Sequence, residues 1–375
     1  MYLHWPFCLS KCPYCDFNTH AYEDVDHDRW LSAYLRALEH YAEKTEGRVL
    51  SSVFFGGGTP SLMEPRVVAE ILERVDALWE CDDALEISME ANPTSVENLK
   101  LAEFAGAGVN RISLGVQALN DKDLMFLGRE HNAAEALAAL EIARGNFERV
   151  SFDLIYARPD QTLKDWRAEL ERALDLGLSH ISAYQLTIER NTAFYYDHQQ
   201  GKFHVPEQEL AADFYNLTQD VLGAGGLEAY ELSNHAADEA QQCRHNLIYW
   251  RYEDYIGIGP GAHGRLSLAG QKYATRDHAA PEIWLSKVEE GGSGAHPFDS
   301  LSMQDQVFER LMMGLRLREG VSLSSVDWKY LKRDKVETLR EQGWAEFNDA
   351  HIRLTQEGVL RLNAILPFVF DADAR

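Results

Sequence analysis

The sequence has no apolar run long enough to cross a membrane and no excess of basic residues. Without about 18 consecutive apolar residues, no helix is expected to span a bilayer. Lysine and arginine number 36 against 60 aspartate and glutamate residues, for a formal net charge of −24. Because nucleic-acid binding requires a cationic surface that neutralises phosphates, this balance argues against DNA or RNA as the main partner.

The amino terminus also lacks a secretory signal, and the cysteines do not suit a disulfide framework. The segment Met1–Cys8 has neither a basic region nor an apolar region of the signal type. The chain contains five cysteines, an odd number, and three of them lie at positions 8, 12 and 15. This usage indicates a reducing compartment and a metal or redox site. We therefore predict a cytoplasmic protein.

Most of the chain alternates short β-branched or aromatic runs with amphipathic helical segments. Such alternation predicts parallel βα units with right-handed crossovers, in an α/β fold that is either a partial barrel or an open sheet. Functional residues are then expected at the carboxyl ends of the strands. The predicted strands are Tyr2–Pro6, Val49–Phe55, Leu85–Glu90, Arg111–Val116, Val150–Tyr156 and His180–Thr187. The predicted helices between them are Asp28–Lys44, Pro65–Trp79, Ser95–Gly106, Ala133–Ala143 and Leu163–Leu176.

The pattern changes towards the carboxyl terminus. At 375 residues the chain is too long for one core, so we predict units at 1–235, 236–300 and 301–375. The last unit is expected to be α-rich and winged-helix-like. Because it has no pronounced cationic excess, we interpret it as a packing or partner-docking domain rather than a DNA-binding one. Its predicted elements are the helices Gln304–Leu317, Lys335–Gln342 and Gln356–Ala364 and a hairpin over Trp344–Leu354.

The three clustered cysteines directly follow the first predicted strand. Cys8, Cys12 and Cys15 can wrap a loop around three corners of an iron–sulfur cubane, which leaves one iron open for a small molecule. The alternative is a zinc site in which His20 provides the fourth ligand. Cys81 and Cys243 are distant in sequence and are interpreted as separate thiols.

The Cys-x3-Cys-x2-Cys spacing, with Tyr14 before the last cysteine, resembles that of the radical S-adenosylmethionine superfamily. The resemblance implies a partial (β/α)6 barrel, a [4Fe–4S] cluster on the three cysteines, and S-adenosylmethionine on the open iron. The glycine motif Gly56-Gly-Gly-Thr-Pro60 ends the second strand, where glycines let the backbone approach a ligand closely. No Gly-Lys-Ser/Thr follows it, so a phosphate-binding loop is disfavoured.

Further polar residues follow the later strands and are similar to those of the coproporphyrinogen-oxidase-like branch of this superfamily. That resemblance implies a set of residues that contact S-adenosylmethionine. The set comprises Tyr2, Tyr14, Gly57, Gly58, Thr59, Glu90, Gln117, Arg129 and Asp153.

The chain departs from the oxygen-independent coproporphyrinogen III oxidase in two respects. Phe17 stands where that enzyme has a further cysteine, and only seven residues precede Cys8, where the oxidase has an extension. Three ligands still suffice for the cluster. Both departures weaken the inference that the chain decarboxylates propionates.

The segment His245-Asn-Leu-Ile-Tyr249-Trp250 is the motif that separates the alternatives. If it is helical, His245 and Tyr249 share a face, and an imidazole beside aromatic rings suits haem. The alternative is a helix that seats on the barrel, with His245 hydrogen-bonded; Cys243 is a nearby competing ligand. The motif resembles that of the HemW-type haem chaperones, which implies His245 as a haem-iron ligand with Tyr249 and Trp250 against the porphyrin.

These resemblances lead to one expected function and two alternatives. The expected function is a haem chaperone that passes haem to respiratory haem proteins. The alternatives are the oxidase itself and a radical enzyme with another substrate, so whether the chain is an enzyme stays open. Peripheral contact with the inner face of the membrane and a homodimer also stay open.

Overall fold

The computed structural model describes residues 1–21, 24–348 and 350–371, and its largest element is a nine-stranded sheet. Six parallel strands lie side by side in chain order at its centre. This arrangement confirms the α/β class and the parallel βα units. The six strands are β1 (Tyr2–Trp5), β2 (Val49–Gly57), β3 (Glu80–Ala91), β4 (Arg111–Gln117), β5 (Arg149–Tyr156) and β6 (His180–Gln185).

Short strands extend this sheet at both edges. Gly257–Ile258 pairs in parallel with β1. At the opposite edge Asn234–Ala236 pairs antiparallel with β6, and Glu228–Ala229 lies outside it. Segments from beyond position 228 therefore border both sides of the six-stranded core.

Helices cover the outer face of the sheet. In the first of them, Trp30, Tyr34, Leu38 and Tyr41 follow the spacing of one helical face and are buried. The helices up to position 224 are His27–Lys44, Pro65–Leu78, Ser95–Asn98, Leu101–Gly106, Asp121–Phe126, Ala133–Asn146, Leu163–Asp175, Ala193–Gln199 and Gln208–Ala224.

The segment predicted as one helix over Ser95–Gly106 forms two. The break falls at Leu99 and Lys100, where the amide of Lys100 bonds to the carbonyl of Glu97 three residues back. The Lys100 ammonium also donates to the carbonyls of Leu62 and Met63. The single-helix prediction is wrong because this tighter turn and tertiary contact override local propensity.

The two faces of the parallel sheet differ in polarity. On β4, Ile112 and Leu114 are buried in the main hydrophobic core, whereas Arg111 and Ser113 alternate with them on the other face. Strands of a parallel sheet that is covered on both sides are usually apolar on both faces. The polar inner face therefore marks where a ligand site is expected.

Along the chain, two helices and a small sheet connect the large sheet to the carboxyl-terminal unit. The helices are Arg244–Trp250 and Pro281–Gly291, and the small sheet consists of the hairpin His263–Leu268 and Gln271–Arg276 with Asp299–Ser300 beside it.

Within the described ranges, no helix is both long enough and apolar enough to traverse a bilayer.

The carboxyl-terminal unit is α-rich, as predicted, and has its own hydrophobic core around Leu311, Leu339 and Ile352. Its three-stranded sheet has His351–Leu354 between Val321–Ser322 and Ala345–Phe347. Residues 372–375 of the predicted 301–375 unit lie outside the described residues, and the three domain boundaries stay predictions. The helices are Met303–Gly314, Arg333–Glu341, Gln356–Val359 and Leu362–Val369, so the segment predicted as one last helix forms two.

Candidate functional site

A cavity of about 390 Å³ opens at the carboxyl ends of the parallel strands, and we call it the cysteine-loop cavity. Residues from the loop after β1 and from the ends of β2 to β5 line it, as expected for a ligand site at the carboxyl ends of parallel strands. The candidate residues that line it are Cys8, Cys12, Tyr14, Cys15, Gly57, Gly58, Thr59, Glu90, Gln117, Arg129 and Asp153.

The glycine motif fixes the cysteine loop against the end of β2. The amide of Gly58 donates to the carbonyl of Trp5 at 2.7 Å, and that of Thr59 donates to the carbonyl of Phe7 at 2.8 Å. A Cβ on Gly58 would lie 2.6 Å from the Phe7 carbonyl oxygen, and one on Gly57, whose φ is +111°, would meet the His4 ring. Only glycine permits this close approach, which holds Cys8 at the cavity wall.

The three thiols face the same cavity in different environments. Burial raises the pKa of Cys8 to about 11 and also raises the pKa of Cys15. The guanidinium of Arg129 donates to the sulfur of Cys12 at 3.2 Å. A bound cluster would displace the protons of the three thiols and stabilise the thiolates, as metals do with coordinating thiols.

The described residues contain no group of three or more histidine, cysteine or carboxylate side chains that could hold a single metal ion. His20, the fourth ligand of the zinc alternative, is exposed on the two-residue strand His20–Ala21. A zinc site requires its ligands to converge on one ion, whereas a cubane takes each thiolate on a separate iron. The geometry therefore suits a cluster better than zinc.

Arg129 connects the cysteine loop to the neighbouring strand ends. Its guanidinium donates to Asn92 Oδ1 and, at 3.0 Å, to the carbonyl of Gly115. Its Nε is buried and has no hydrogen-bond partner among the described residues. Gln117, on the same wall, has a φ of +69°, a strained conformation that is typical of ligand sites when it occurs outside glycine.

Two carboxylates lie deep in the cavity. Glu90 accepts from the amide of Gly57 at 3.2 Å, and Asp153 accepts from Ser113 Oγ at 3.2 Å. Desolvation, followed by the charge of Asp153, raises the pKa of Glu90 to about 8, and desolvation raises that of Asp153 to about 6. The pair would gain most from a cationic ligand, which would stabilise both ionised forms.

The structure does not bring Tyr2 to this cavity. Tyr2 pairs with Phe54, which pairs with Ser88, so it lies two residues below Glu90 along the strands. Its hydroxyl is 3.0 Å from His4 Nδ1, and its ring stacks on Phe54 and His245. Tyr2 therefore separates the cavity from the segment around His245.

The residues of the haem motif lie below the cavity, on the far side of Tyr2 and Phe54. His245 is buried, its ring stacks on Phe54, and its Nδ1 is 2.9 Å from Ser52 Oγ. The Tyr249 hydroxyl bonds to its Nε2, so both ring nitrogens have partners. Burial lowers the pKa of His245 well below its usual value, which keeps the ring neutral. The indole Nε1 of Trp250 is buried and lacks a partner among the described residues.

The carboxylate of Glu86 holds the start of this helix. It accepts from the amides of Arg244 and His245, each at 3.0 Å, and forms an ion pair with Arg149. The buried thiol of Cys243 donates to the same carboxylate, at 3.6 Å from Glu86 Oε1. The helix is therefore anchored to the middle of β3 and, through the ion pair with Arg149, to the start of β5.

Sequence reasoning missed three residues that complete the cavity and its loop. Asn92 links Arg129 to Thr59, and Tyr184, on β6, lines the cavity wall. Asn18 donates to the carbonyls of Pro260 and Ala279, both at 2.8 Å, and so ties the end of the cysteine loop to distant segments. Asn92 follows a strand directly and could have been found from its position, whereas the partners of Asn18 lie over 240 residues away.

Comparison with protein families matches residues 2–173 to the radical SAM superfamily and residues 301–361 to the HemN C-terminal domain. The haem chaperone HemW of Escherichia coli is 35% identical, with 98% of this chain and 96% of that protein covered. The mitochondrial radical S-adenosyl methionine domain-containing protein 1 of Danio rerio is 36% identical, with 98% and 86% covered.

Among solved structures, the radical SAM enzyme HemN of Escherichia coli, a coproporphyrinogen III oxidase, matches with a TM-score of 0.81 and 22% identity, covering 99% of this chain and 89% of that one. This likeness confirms the fold. The similarity to the haem chaperones covers 98% of this chain. The chain therefore belongs to the radical SAM superfamily and, within it, to the family of the haem chaperone HemW.

Proposed function

We propose that this chain is a haem chaperone. It holds a [4Fe–4S] cluster and S-adenosylmethionine in the cysteine-loop cavity, and it binds haem at the helix Arg244–Trp250. It passes the haem to respiratory haem proteins. The haem-chaperone function of the HemW relatives supports this proposal, as does the separation of the haem motif from the cysteine loop.

The residues of the cysteine-loop cavity fit both cofactors. Cys8, Cys12 and Cys15 supply soft ligands from one loop, and the glycine motif forms a cradle that a Cβ would fill. Arg129, with its unpartnered Nε, is suited to a carboxylate, and Glu90 and Asp153 are suited to cationic groups. When bound, the pair of cofactors would supply reductive cleavage of the sulfonium, the chemistry of this superfamily.

The observation that carries the choice of a chaperone is that the haem motif and the cysteine-loop cavity use different side chains. His245 contacts Ser52, and the glycine motif at the cavity begins four residues later on the same strand, β2. At about 3.3 Å per residue, these two backbone levels are roughly 13 Å apart. The rings of Phe54 and Tyr2, on which His245 stacks, lie between them, so the haem motif is separate from the residues that would hold the cluster.

Phe17 adds a second argument against the oxidase. It lies at the cavity wall and is 58% exposed, where the oxidase has a further cysteine. A phenylalanine cannot replace the chemistry of a thiol. We therefore expect the cavity to keep the cluster but to lack coproporphyrinogen oxidation.

The test between the two functions is an anaerobic assay of cluster-loaded protein with coproporphyrinogen III, a reductant and S-adenosylmethionine. We expect no protoporphyrinogen IX, while the same preparation binds haem in an absorbance titration. The Escherichia coli oxidase serves as the positive control. Stoichiometric formation of protoporphyrinogen IX would overturn the chaperone proposal in favour of the oxidase.

The affinity for S-adenosylmethionine is expected to rise between pH 6 and pH 8. Below the pKa values of Asp153 and Glu90, about 6 and about 8, binding of the permanently charged sulfonium has to ionise neutral carboxyl groups. Each such group adds up to about tenfold in affinity per pH unit until it is ionised. Calorimetry on cluster-loaded protein at several pH values measures this slope.

Glu90→Gln is expected to remove the upper part of this pH dependence and to weaken binding at pH 8 by about tenfold, the effect of one lost ion pair in a desolvated site. Glu70→Gln is the matched control, because Glu70 is exposed on the helix Pro65–Leu78. A wild-type affinity that does not change over this range would contradict the assignment of the two carboxylates.

The acceptor and the location are part of the same proposal. The acidic balance of the chain favours a protein acceptor over nucleic acid, and the free thiols suit the cytoplasm. Respiratory acceptors are membrane enzymes, so the proposal includes peripheral contact with the inner face of the membrane. Crosslinking of haem-loaded protein to membranes that carry the acceptor tests this contact.

A further inference from the structure

A second cavity, of about 460 Å³, lies near the amino ends of the strands, and we call it the arginine cavity. The first residue of β5, the helix Arg244–Trp250 and the segment Leu317–Glu319 contribute to its wall. Its volume falls in the range that is typical of sites for small ligands, about 300 to 1,000 Å³. None of the candidate residues for S-adenosylmethionine lines it.

The wall of the arginine cavity is cationic in a protein that is strongly acidic overall. Four arginines line it, against two glutamates. The four arginines are Arg149, Arg244, Arg251 and Arg318, and the two glutamates are Glu239 and Glu319. A concentration of guanidinium groups against the overall charge of −24 indicates recognition of an anion.

The ion pairs of the protein neutralise this wall only in part. Arg251 pairs with Glu319, Arg149 pairs with the buried Glu86 at 2.7 Å, and one nitrogen of Arg244 lies 3.5 Å from Asp82. Among the described residues Arg318 has no carboxylate within 4.0 Å; its guanidinium donates instead to the neutral Gln219 at 2.7 Å. The buried Nε of Arg149 also lacks a partner in the described ranges. Donors for an anion are therefore available.

The helix Arg244–Trp250 joins the arginine cavity to the haem motif. Arg244, Leu247 and Arg251 follow the spacing of one helical face and line the cavity. His245 and Tyr249 lie on the adjacent face, towards Ser52. A ligand that contacts both faces needs an apolar body and an anionic edge.

We propose that the arginine cavity binds the propionate carboxylates of haem, with Arg318 and Arg244 as the principal cationic partners. This inference rests on the proposed function, since it names how the cargo of the same helix is held. Guanidinium groups match carboxylates in bidentate geometry, and Leu247 and Leu317 give the porphyrin edge an apolar contact. The two propionates thereby fix the orientation of haem on the helix.

The test compares haem with its propionate dimethyl ester, which keeps the iron and the ring but removes both negative charges. Each is titrated into the full-length, cluster-loaded protein and followed by the Soret absorbance. We expect the wild-type protein to bind haem at least about tenfold more tightly than the diester, the effect of one charge-assisted contact. Arg318→Gln is expected to weaken haem binding by about tenfold and to leave binding of the diester unchanged.

Arg167→Gln is the matched control, because Arg167 is exposed on the helix Leu163–Asp175, remote in sequence from the cavity, and pairs only weakly with Glu171. Cluster absorbance and thermal unfolding verify that each variant folds. If Arg318→Gln does not fold, the test is repeated with Arg244→Gln, because Arg244 is at a half-exposed position. Equal wild-type affinities for haem and the diester would overturn the role of the cavity and leave the haem chaperone intact. Failure of the wild-type protein to bind either compound would overturn both.

Discussion

Replacing Cys12 with serine is expected to abolish the iron–sulfur absorbance of the reconstituted protein. Cys12 is one of three thiols on the loop after β1, and a serine oxygen is a poor substitute for a soft thiolate on iron. With two ligands left, we expect the iron content to fall at least about tenfold, since even the loss of a group that only supports a metal ligand lowers affinity by about 10- to 100-fold. Anaerobic reconstitution followed by iron and sulfide analysis measures the loss.

Cys81→Ser is the matched control for this experiment. Cys81 lies near the start of β3, far along the strand from the cavity, and its thiol donates to the carbonyl of Trp79 at 3.8 Å. We expect this variant to keep its cluster. A Cys12→Ser protein with full iron and sulfide content, or a wild-type protein that takes up zinc in place of iron, would contradict the assignment of the cysteine loop.

The positions of most candidate residues could be predicted because they depend on local rules. Cys8 lies shortly after β1 and Gly57 is the last residue of β2, and the parallel order of those strands places their ends at one edge of the sheet. Glu90 and Asp153 lie on later strands of the same order, and both line the same cavity. Their contacts with cofactors stay predictions.

The position of Tyr2 could not be read from the sequence, because it depends on register. Its pairing with Phe54 rather than with Gly56 sets it one pleat below the cavity. In a parallel sheet, a shift of two residues keeps a side chain on the same face and moves it by about 7 Å. Its predicted contact with S-adenosylmethionine would require a ligand that reaches below Glu90.

The surroundings of His245 were equally inaccessible to sequence reasoning. The local spacing predicts that Tyr249 shares its face, and the hydrogen bond between the two side chains agrees with this. Its other partner, Ser52, is 193 residues away in the chain and reaches it only through the fold. The side chain of His245 can therefore either seat the helix on the sheet or ligate haem iron, and the two alternatives call for different tests.

The substitutions His245→Gln and Tyr249→Phe are expected to differ in their effect on haem binding. Glutamine keeps most of the buried volume and a hydrogen bond to Ser52 but provides no imidazole nitrogen for iron, so we expect haem affinity to fall about tenfold or more. Phenylalanine removes the hydroxyl that occupies Nε2 of His245, so we expect affinity to be retained or increased. Absorbance titration and the spectrum of the bound haem measure both effects.

This pair of variants separates ligation from seating because each substitution removes one partner of the same hydrogen bond. If His245 only seats the helix on the sheet, each substitution disrupts one hydrogen bond, and both lower the free energy of unfolding by about 1 to 3 kcal/mol without changing the haem spectrum. If His245 ligates iron, the neutral imidazole maintained by burial is the form that binds, and only the glutamine variant loses the spectrum of a histidine-ligated haem. An unchanged haem spectrum in His245→Gln would therefore assign this side chain to the anchoring of the helix and move the iron ligand elsewhere.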